Sequence, residues 1–406
     1  MELKSNINHR RIKIEMNTRI INYLKNAEMK RIIFSLIILA AFTAVLVFVN
    51  GNIEKTPLIN SEGKTYAKAV VTDILTDNSA ENGERAGSQK VMVEIESGEY
   101  KGEQLEAYST NGYLYGADSE IGMKVMAVIS ESSGEKVVSI GGVYRIMPII
   151  IIAALFLLSI WVIGGRRGVL AIIGLGFTFV TIIGLFLPMI YRGFSPFISA
   201  VISCIITTGV CMPLIGGMTK KTVSAVFSTV AGVVIAGVLA YLFGKMTDIS
   251  GYNVSEIEEL MFIAANTKIQ IGELLFAGIL IASMGAVMDV GMSVSSAVEE
   301  VHKKNPALTG RELFVSGMNV GRDMMGTMSN TLILAFVGSS INTIVTTYAY
   351  DYSMMYTMNL YSTCIEIIRS ISGSMGVIFT VPVAAAAAAF LYGTESKKTV
   401  PETAND

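Results

Sequence analysis

The sequence predicts a polytopic α-helical membrane protein of about eight spans, with one small β-rich domain after the first span. Three observations carry this prediction. Hydrophobic residues make up 52% of the 406 residues and charged residues 16%, where a soluble chain has about a quarter charged. The charges gather in short blocks, separated by apolar runs close to the roughly 20 residues a helix needs to cross about 30 Å of hydrocarbon. Between residues 51 and 144 the pattern changes to short alternating segments punctuated by glycine and asparagine.

Residues 1–31 form a basic leader carrying Lys4, Arg10, Arg11, Lys13, Arg19, Lys25, Lys30 and Arg31. The apolar run 32–49 follows as the first span. A cleaved signal peptide is the alternative, but no small-residue cleavage site of the A-x-A kind follows Val49, so the run is read as an uncleaved anchor.

Residues 51–144 read as an extracytoplasmic β-domain. Segments 65–75, 90–96, 103–108, 124–130 and 136–140 alternate apolar and polar positions as half-buried strands do. Turn pairs separate them, among them Asn82-Gly83, Ser97-Gly98, Asn111-Gly112 and Ser133-Gly134. Five short strands in that length predict a small Greek-key barrel, OB-like in size. Acidic residues outnumber basic ones here, so the domain repels phosphate and nucleic acid is not its partner.

Residues 146–392 read as a seven-helix membrane domain with spans at 146–163, 169–190, 197–215, 223–243, 274–290, 325–344 and 374–392. The tail 393–406 follows. Orientation comes from basic residues: Arg166 and Arg167, Lys220 and Lys221, then Lys303, Lys304 and Arg311, and Lys397 and Lys398 all fall on the side of the leader. Both termini are therefore placed inside. Cys204 and Cys211 share a helix about 10 Å apart, too far to bridge. Ser255-Glu256-Ile257-Glu258 reads as a capping box opening a short helix on the outer surface.

Ionisable groups at membrane depth are functional candidates. Asp289, Ser293, Ser296 and Glu300 recur at i, i+4, i+7 and i+11, which puts them on one helical face with Glu299 beside it. After the Asn305-Pro306 break, Thr309-Gly310-Arg311-Glu312 reads as a capping box. On the helix it opens, Asn319, Arg322, Asp323, Gly326 and Asn330 form a second stripe, and Gly317 and Gly321 form a small-xxx-small pair. The expectation is two facing stripes, with Arg322 pairing Asp289, Glu300 or Asp323, and a substrate or ion path between them. Packing glue is the other reading of the same stripe. Met284, Met288 and Met292 repeat at i, i+4 and i+8, a thioether set that suits Cu(I) or simple packing. Glu366 and Arg369 make an i, i+3 pair at the outer mouth of the last span, and Pro382 predicts a kink there.

Enzyme signatures are missing from the sequence. With His9 and His302 as its two histidines it has no HExxH motif, and neither a Walker A nor a GxSxG sequence occurs. No cofactor, metal or enzymatic activity is therefore expected.

The stretches SMGAVMDVGMSVSSAVEEV (283–301) and NPALTGRELFVSGMNVGRDMMGTMSNTLILAFVG (305–338) resemble the signature of the YibE/F-like family of bacterial membrane proteins. GGRRGVLAIIGLGFTF (164–179) and FLPMIYRGFSP (186–196) are similar to that family's earlier segments, while residues 1–31 lie outside the resemblance. The resemblance implies a bacterial inner-membrane protein with an extracytoplasmic β-domain and a helix bundle. It implies no established substrate. Its motif falls on Asp289, Glu299, Glu300, Asn319, Arg322, Asp323 and Asn330. The reading that follows is a transporter or permease of an unknown small solute or ion, embedded in the bilayer. The alternative is a non-transporting scaffold or sensor whose β-domain holds an envelope protein partner.

Overall fold

The computed structural model describes residues 42–399, other than 52, 54–57, 59–62, 78–86, 111, 113–114 and 133–134. The expected basic segment 1–31, residues 32–41 of the first span and the tail beyond 399 lie outside the described residues. The chain forms two compact units, one of residues 57–169 and one of the described residues before 57 and from 170 onward.

The first unit is built on a closed five-stranded barrel. Strands β1 (Lys64–Thr76), β2 (Ser88–Ile95), β3 (Gln104–Thr110), β4 (Lys124–Ser132) and β5 (Glu135–Val143) are ordered β1-β2-β3-β5-β4. The β3–β5 pair is parallel and the other pairs are antiparallel. The 13-residue β1 serves two neighbours. Its Lys64–Val70 portion pairs with β4 and its Ala69–Thr76 portion with β2. Register shifts between Val71 and Asp73, and again between Ile74 and Thr76, bend the portion paired with β2. Alternation selects the interior: Ala69, Val71, Val91, Val93, Ala107, Val125, Ala127 and Val138 are buried. Small and β-branched side chains fill so narrow a barrel. The buried amide of Gln89 closes one end, its Oε1 accepting from the Ser119 N–H at 2.7 Å.

Helices make up the second unit and, from Ile146, the end of the first. Residues 42–50 form α1, whose last residue, Asn50, donates from Nδ2 to the Gly184 carbonyl at 2.7 Å. That carbonyl lies in a π-turn, Ile182–Phe186, between α2 (Ile146–Thr181) and α3 (Leu187–Tyr191). The two expected spans, 146–163 and 169–190, lie on either side of a break within the 46-residue apolar stretch Ile146–Tyr191. That is more than twice the length of one crossing. Its backbone leaves helical geometry at Gly165 (φ 53°, ψ −130°), in the left-handed region that glycine enters without a Cβ penalty.

Next come α4 (Pro196–Gly216), α5 (Lys220–Met246), α6 (Ile257–Asn266), α7 (Leu274–Lys304), α8 (Gly310–Ser339), α9 (Ile341–Ala349), α10 (Met354–Asn359) and α11 (Tyr361–Thr399). Caps explain several starts. Ser195 accepts from the Ile198 N–H ahead of Pro196, and Thr219 accepts from the Thr222 N–H. The Thr309/Glu312 capping box forms as expected. The Ser255–Glu258 box does not, since the α6 N-cap is Glu256 with no side-chain hydrogen bond. A box forms instead at Ser250 and Asn253, where the Asn253 carboxamide reaches back to the Ser250 N–H at 2.8 Å. Pro382 lies inside the unbroken helix α11.

The core lies between α5, α7, α8 and α11, around Val233, Leu280, Val287, Val290, Val294, Val377, Val381 and Ala385. Ser224 links three of these helices, accepting from Ser295 Oγ at 3.1 Å and donating to the Ala384 carbonyl at 3.3 Å. Gly317 and Gly321 are buried against α11, as the small-xxx-small pair predicts. Among the described residues five helical stretches are long and apolar enough to cross a membrane. The pair α8 and α9, bent by 63°, makes a sixth if it is one broken span. Helices of this length and composition are those of a membrane protein.

Candidate functional site

The two polar stripes do not converge. On α7 the buried face is Val287, Val290, Gly291, Val294, Ser295 and Val298. Asp289 lies two residues on from Val287, about 200° around the helix, and is exposed. Ser293 and Ser296 are half-buried and Glu300 is exposed. On α8 the buried face is Leu313, Gly317, Gly321, Leu332 and Phe336, whereas Asn319, Arg322, Asp323 and Asn330 are all exposed. Both stripes therefore turn away from the core. Among the described residues Arg322 makes no ion pair with Asp289, Glu300 or Asp323. The expected pairing is corrected: packing claims the valine and glycine faces, and these leave the charged faces outward.

Glu299 is the exception. It bridges helices, accepting Lys221 Nζ of α5 at 3.0 Å and Lys303 Nζ, one turn on, at 3.3 Å. A neighbouring tie holds the end of α11, where Lys220 Nζ donates to the Leu391 carbonyl at 3.1 Å and lies 5.6 Å from the Tyr392 ring centroid. These contacts join helix ends, so Glu299 reads as a structural clamp. The methionine repeat also packs: Met284 is buried in the core and Met288 leans on it, while Met292 Cε lies near Gly216. No cluster of three His, Cys, Asp or Glu side chains able to hold a metal occurs among the described residues.

The groups that do gather lie elsewhere, around a cavity of about 560 Å³. One wall is the bent joint of α8 and α9, with Ile333, Val337, Ser340, Thr343, Ile344 and Thr347. The opposite wall is the first three turns of α11, with Ser362, Thr363, Glu366, Ile367, Ser370 and Ile371, and Tyr348, Asp351, Tyr352 and Thr357 complete it. Glu366 is its chemical centre. Its Oε1 accepts Arg369 Nη1 at 2.8 Å, and that guanidinium lies 6.0 Å from the Phe336 ring centroid. Among the described residues its buried Oε2 has no hydrogen-bond partner. A buried carboxylate oxygen left without a donor is costly, so Glu366 is the least satisfied group at the cavity wall. The sequence gives the Glu366/Arg369 pair but not the cavity, which depends on the break at Ser340. The one local cue is a polar, tyrosine-rich run from Ser339 to Thr363 interrupting apolar helices.

The cavity falls in the ordinary size range of small-molecule sites, with mostly apolar walls and a few convergent polar groups. Chemically it can take an amphipathic solute and hold a hydrogen-bond donor or positive charge against Glu366 and Asp351.

A family model described as YibE/F-like protein matches residues 152–394, more than half the chain, and the chain belongs to that family. No curated protein matches it, and no solved structure does.

Proposed function

We propose that this YibE/F-like protein is a membrane transporter whose solute site is the cavity at the break between α8 and α9. The observation that carries the reading is the orphan Oε2 of Glu366 at a cavity walled by a broken helix. Discontinuous helices with irregular backbone facing a cavity are a recurrent way to build substrate sites within the bilayer. The solute class follows from the acceptor: a small amphipathic molecule presenting an amine or another strong donor to Glu366, with its apolar part among Ile333, Val337 and Ile367.

The same reading places the protein in a bacterial inner membrane. Both termini are cytoplasmic, the barrel is extracytoplasmic, and the helices from Ile146 onward, with the first span, cross about eight times. It assigns no solute contact to Asp289, Ser293, Ser296, Glu300, Asn319, Arg322, Asp323 or Asn330, which lie on outward faces. A scaffold function is favoured by one observation, the exposure of Tyr66, Tyr108 and Tyr115 on the barrel, since exposed aromatics are typical interface anchors.

The test is saturable uptake into proteoliposomes of a panel of radiolabelled arylalkyl amines, each beside its alcohol analogue. Uptake of an amine over its alcohol, with Glu366→Gln losing that preference in monodisperse protein, is the expected result. Saturable uptake unchanged by Glu366→Gln would remove the cavity from the path. No uptake of any probe, with binding of an envelope protein to the barrel, would favour the scaffold.

A further inference from the structure

We propose that the outward stripes of α7 and α8 are the seam at which two copies of this chain pair in the membrane, Arg322 of each copy meeting Asp289 of the other. The inference rests on α7 and α8 lying in a bilayer and is independent of the solute assigned to the cavity.

The charges stand at one level of the α7–α8 pair. Asp289 is at the midpoint of α7 (Leu274–Lys304), about 22 Å of helix from either end. Arg322 and Asp323 lie about 18–20 Å into α8. The apolar runs of these helices, 274–290 and 325–344, put all three at one edge of the hydrocarbon layer. Each is exposed, and among the described residues none has an ion-pair or hydrogen-bond partner. The described part of the first span does not cover them, because α1 packs on Leu185 and Met189.

A second copy supplies what one copy lacks. The patch carries both signs, Arg322 against Asp289 and Asp323, as a two-fold interface requires: it must complement itself, residue i meeting j while j meets i. The heights agree as well. The two helices run antiparallel from the turn at 305–309, and Gly317 packs on Val298 at the level this predicts. Measured from that turn, Asp289 and Arg322 differ by about 4–5 Å, within the reach of an arginine side chain. Among the described residues nothing lies within 4 Å of where a Cβ on Gly285 or Gly326 would be. These two surface glycines, near the level of the charges, let a second backbone come close. Asn319, Asn330, Ser293 and Ser296 extend the seam with neutral hydrogen-bonding groups.

The test uses the full-length protein in lipid nanodiscs, with stoichiometry read by native mass spectrometry. Wild type is expected as a dimer. Arg322→Asp alone and Asp289→Arg alone are expected as monomers, because each homodimer would oppose like charges. Co-expressed with different tags, the two variants are expected to recover a mixed dimer at least tenfold above either self-pair. That rescue also establishes that both variants fold. A second measurement removes dependence on the reversals: with Cys204, Cys211 and Cys364 replaced by serine, one copy with Gly285→Cys and one with Gly326→Cys should cross-link through a short bis-maleimide. A copy with Phe227→Cys, an exposed position on α5, should not. A wild type that is monomeric in lipid would overturn the proposal. So would a dimer that ignores both charge reversals, or cross-linking no stronger at the stripe than at Phe227.

Discussion

Gly321 on α8 is where the bundle is most easily tested by one added carbon. A Cβ placed there would overlap Val381 Cγ1 and lie 3.2 Å from both Val381 Cβ and Cγ2. Val381 is 1% exposed, and a β-branched side chain in a helix has essentially one rotamer, so it cannot swing aside. α8 must then move off α11. Two effects compete in Gly321→Ala. Helix propensity favours alanine over glycine by about 1 kcal/mol, and overpacking a tight contact costs about 1–3 kcal/mol. Gly278→Ala on α7 isolates the first effect, since among the described residues a Cβ there meets nothing within 4 Å, and the difference between the two variants reports the second. The expected difference between the two variants is about 1–3 kcal/mol, with Gly321→Ala the less stable. The assay is reversible unfolding in mixed micelles titrated with sodium dodecyl sulfate and followed by far-ultraviolet circular dichroism. Val381→Ala opens the contact, so the double variant should show a favourable coupling of about 0.5–3 kcal/mol. Equal stability of Gly321→Ala and Gly278→Ala, or no coupling to Val381, would refute close packing of α8 on α11.

Two other predictions follow from the caps and the barrel surface. Thr309→Ala removes the acceptor for the Glu312 N–H at the start of α8, so it should lower stability in the same titration by about 0.5–2 kcal/mol. In the barrel, the Glu106 and Glu103 carboxylates raise Lys90 and Lys136 above the ordinary lysine value, while Lys68 beside Glu96 lowers its carboxyl. A raised lysine stabilises below its unfolded value and loses that as pH rises through the folded one; a lowered glutamate stabilises above its unfolded value and loses that as pH falls. Proteolysis of the barrel should therefore be slowest across neutral pH. It should rise below about pH 4 and again above about pH 10.5, with Lys136→Met flattening the alkaline arm. An alkaline arm identical in Lys136→Met would remove that pair from the account.

The barrel was readable because a narrow interior imposes its period on every strand. Val91, Val93 and Ile95 alternate inward on β2, and the segment expected at 90–96 is observed at Ser88–Ile95. Helices α4 and α5 were readable for a different reason: length sets them, and the expected runs 197–215 and 223–243 fall within Pro196–Gly216 and Lys220–Met246. Hydropathy fails where backbone geometry decides. The expected span 325–344 runs straight through the bend at Ser340, because an average over side chains carries no record of a broken hydrogen-bond ladder. The Glu366 cavity is hidden for the same reason. Its walls are distant in sequence, and only the bend brings Thr343 and Thr347 opposite Glu366.

The direction of the stripes has a deeper cause. In water the apolar face of a helix turns inward, and polar residues mark the outside. In lipid that rule loses its force, since the tails are as apolar as leucine and close backbone approach becomes the main gain. The reading of α7 and α8 assumed that polar groups inside a membrane must face the protein's own interior. The inward faces prove to be marked by size: Gly291, Ser295 and Val298 on α7, Gly317 and Gly321 on α8, and Ala384, Ala385 and Ala388 on α11. Two demands thus compete for the same helix surface. Close packing within the chain takes the small residues, and the charged face must find its partner beyond the chain. A polar stripe opposite a small-residue face then indicates assembly between copies, whereas a polar stripe coincident with one would indicate a path within a single chain. Asp289 and Arg322 are of the first kind.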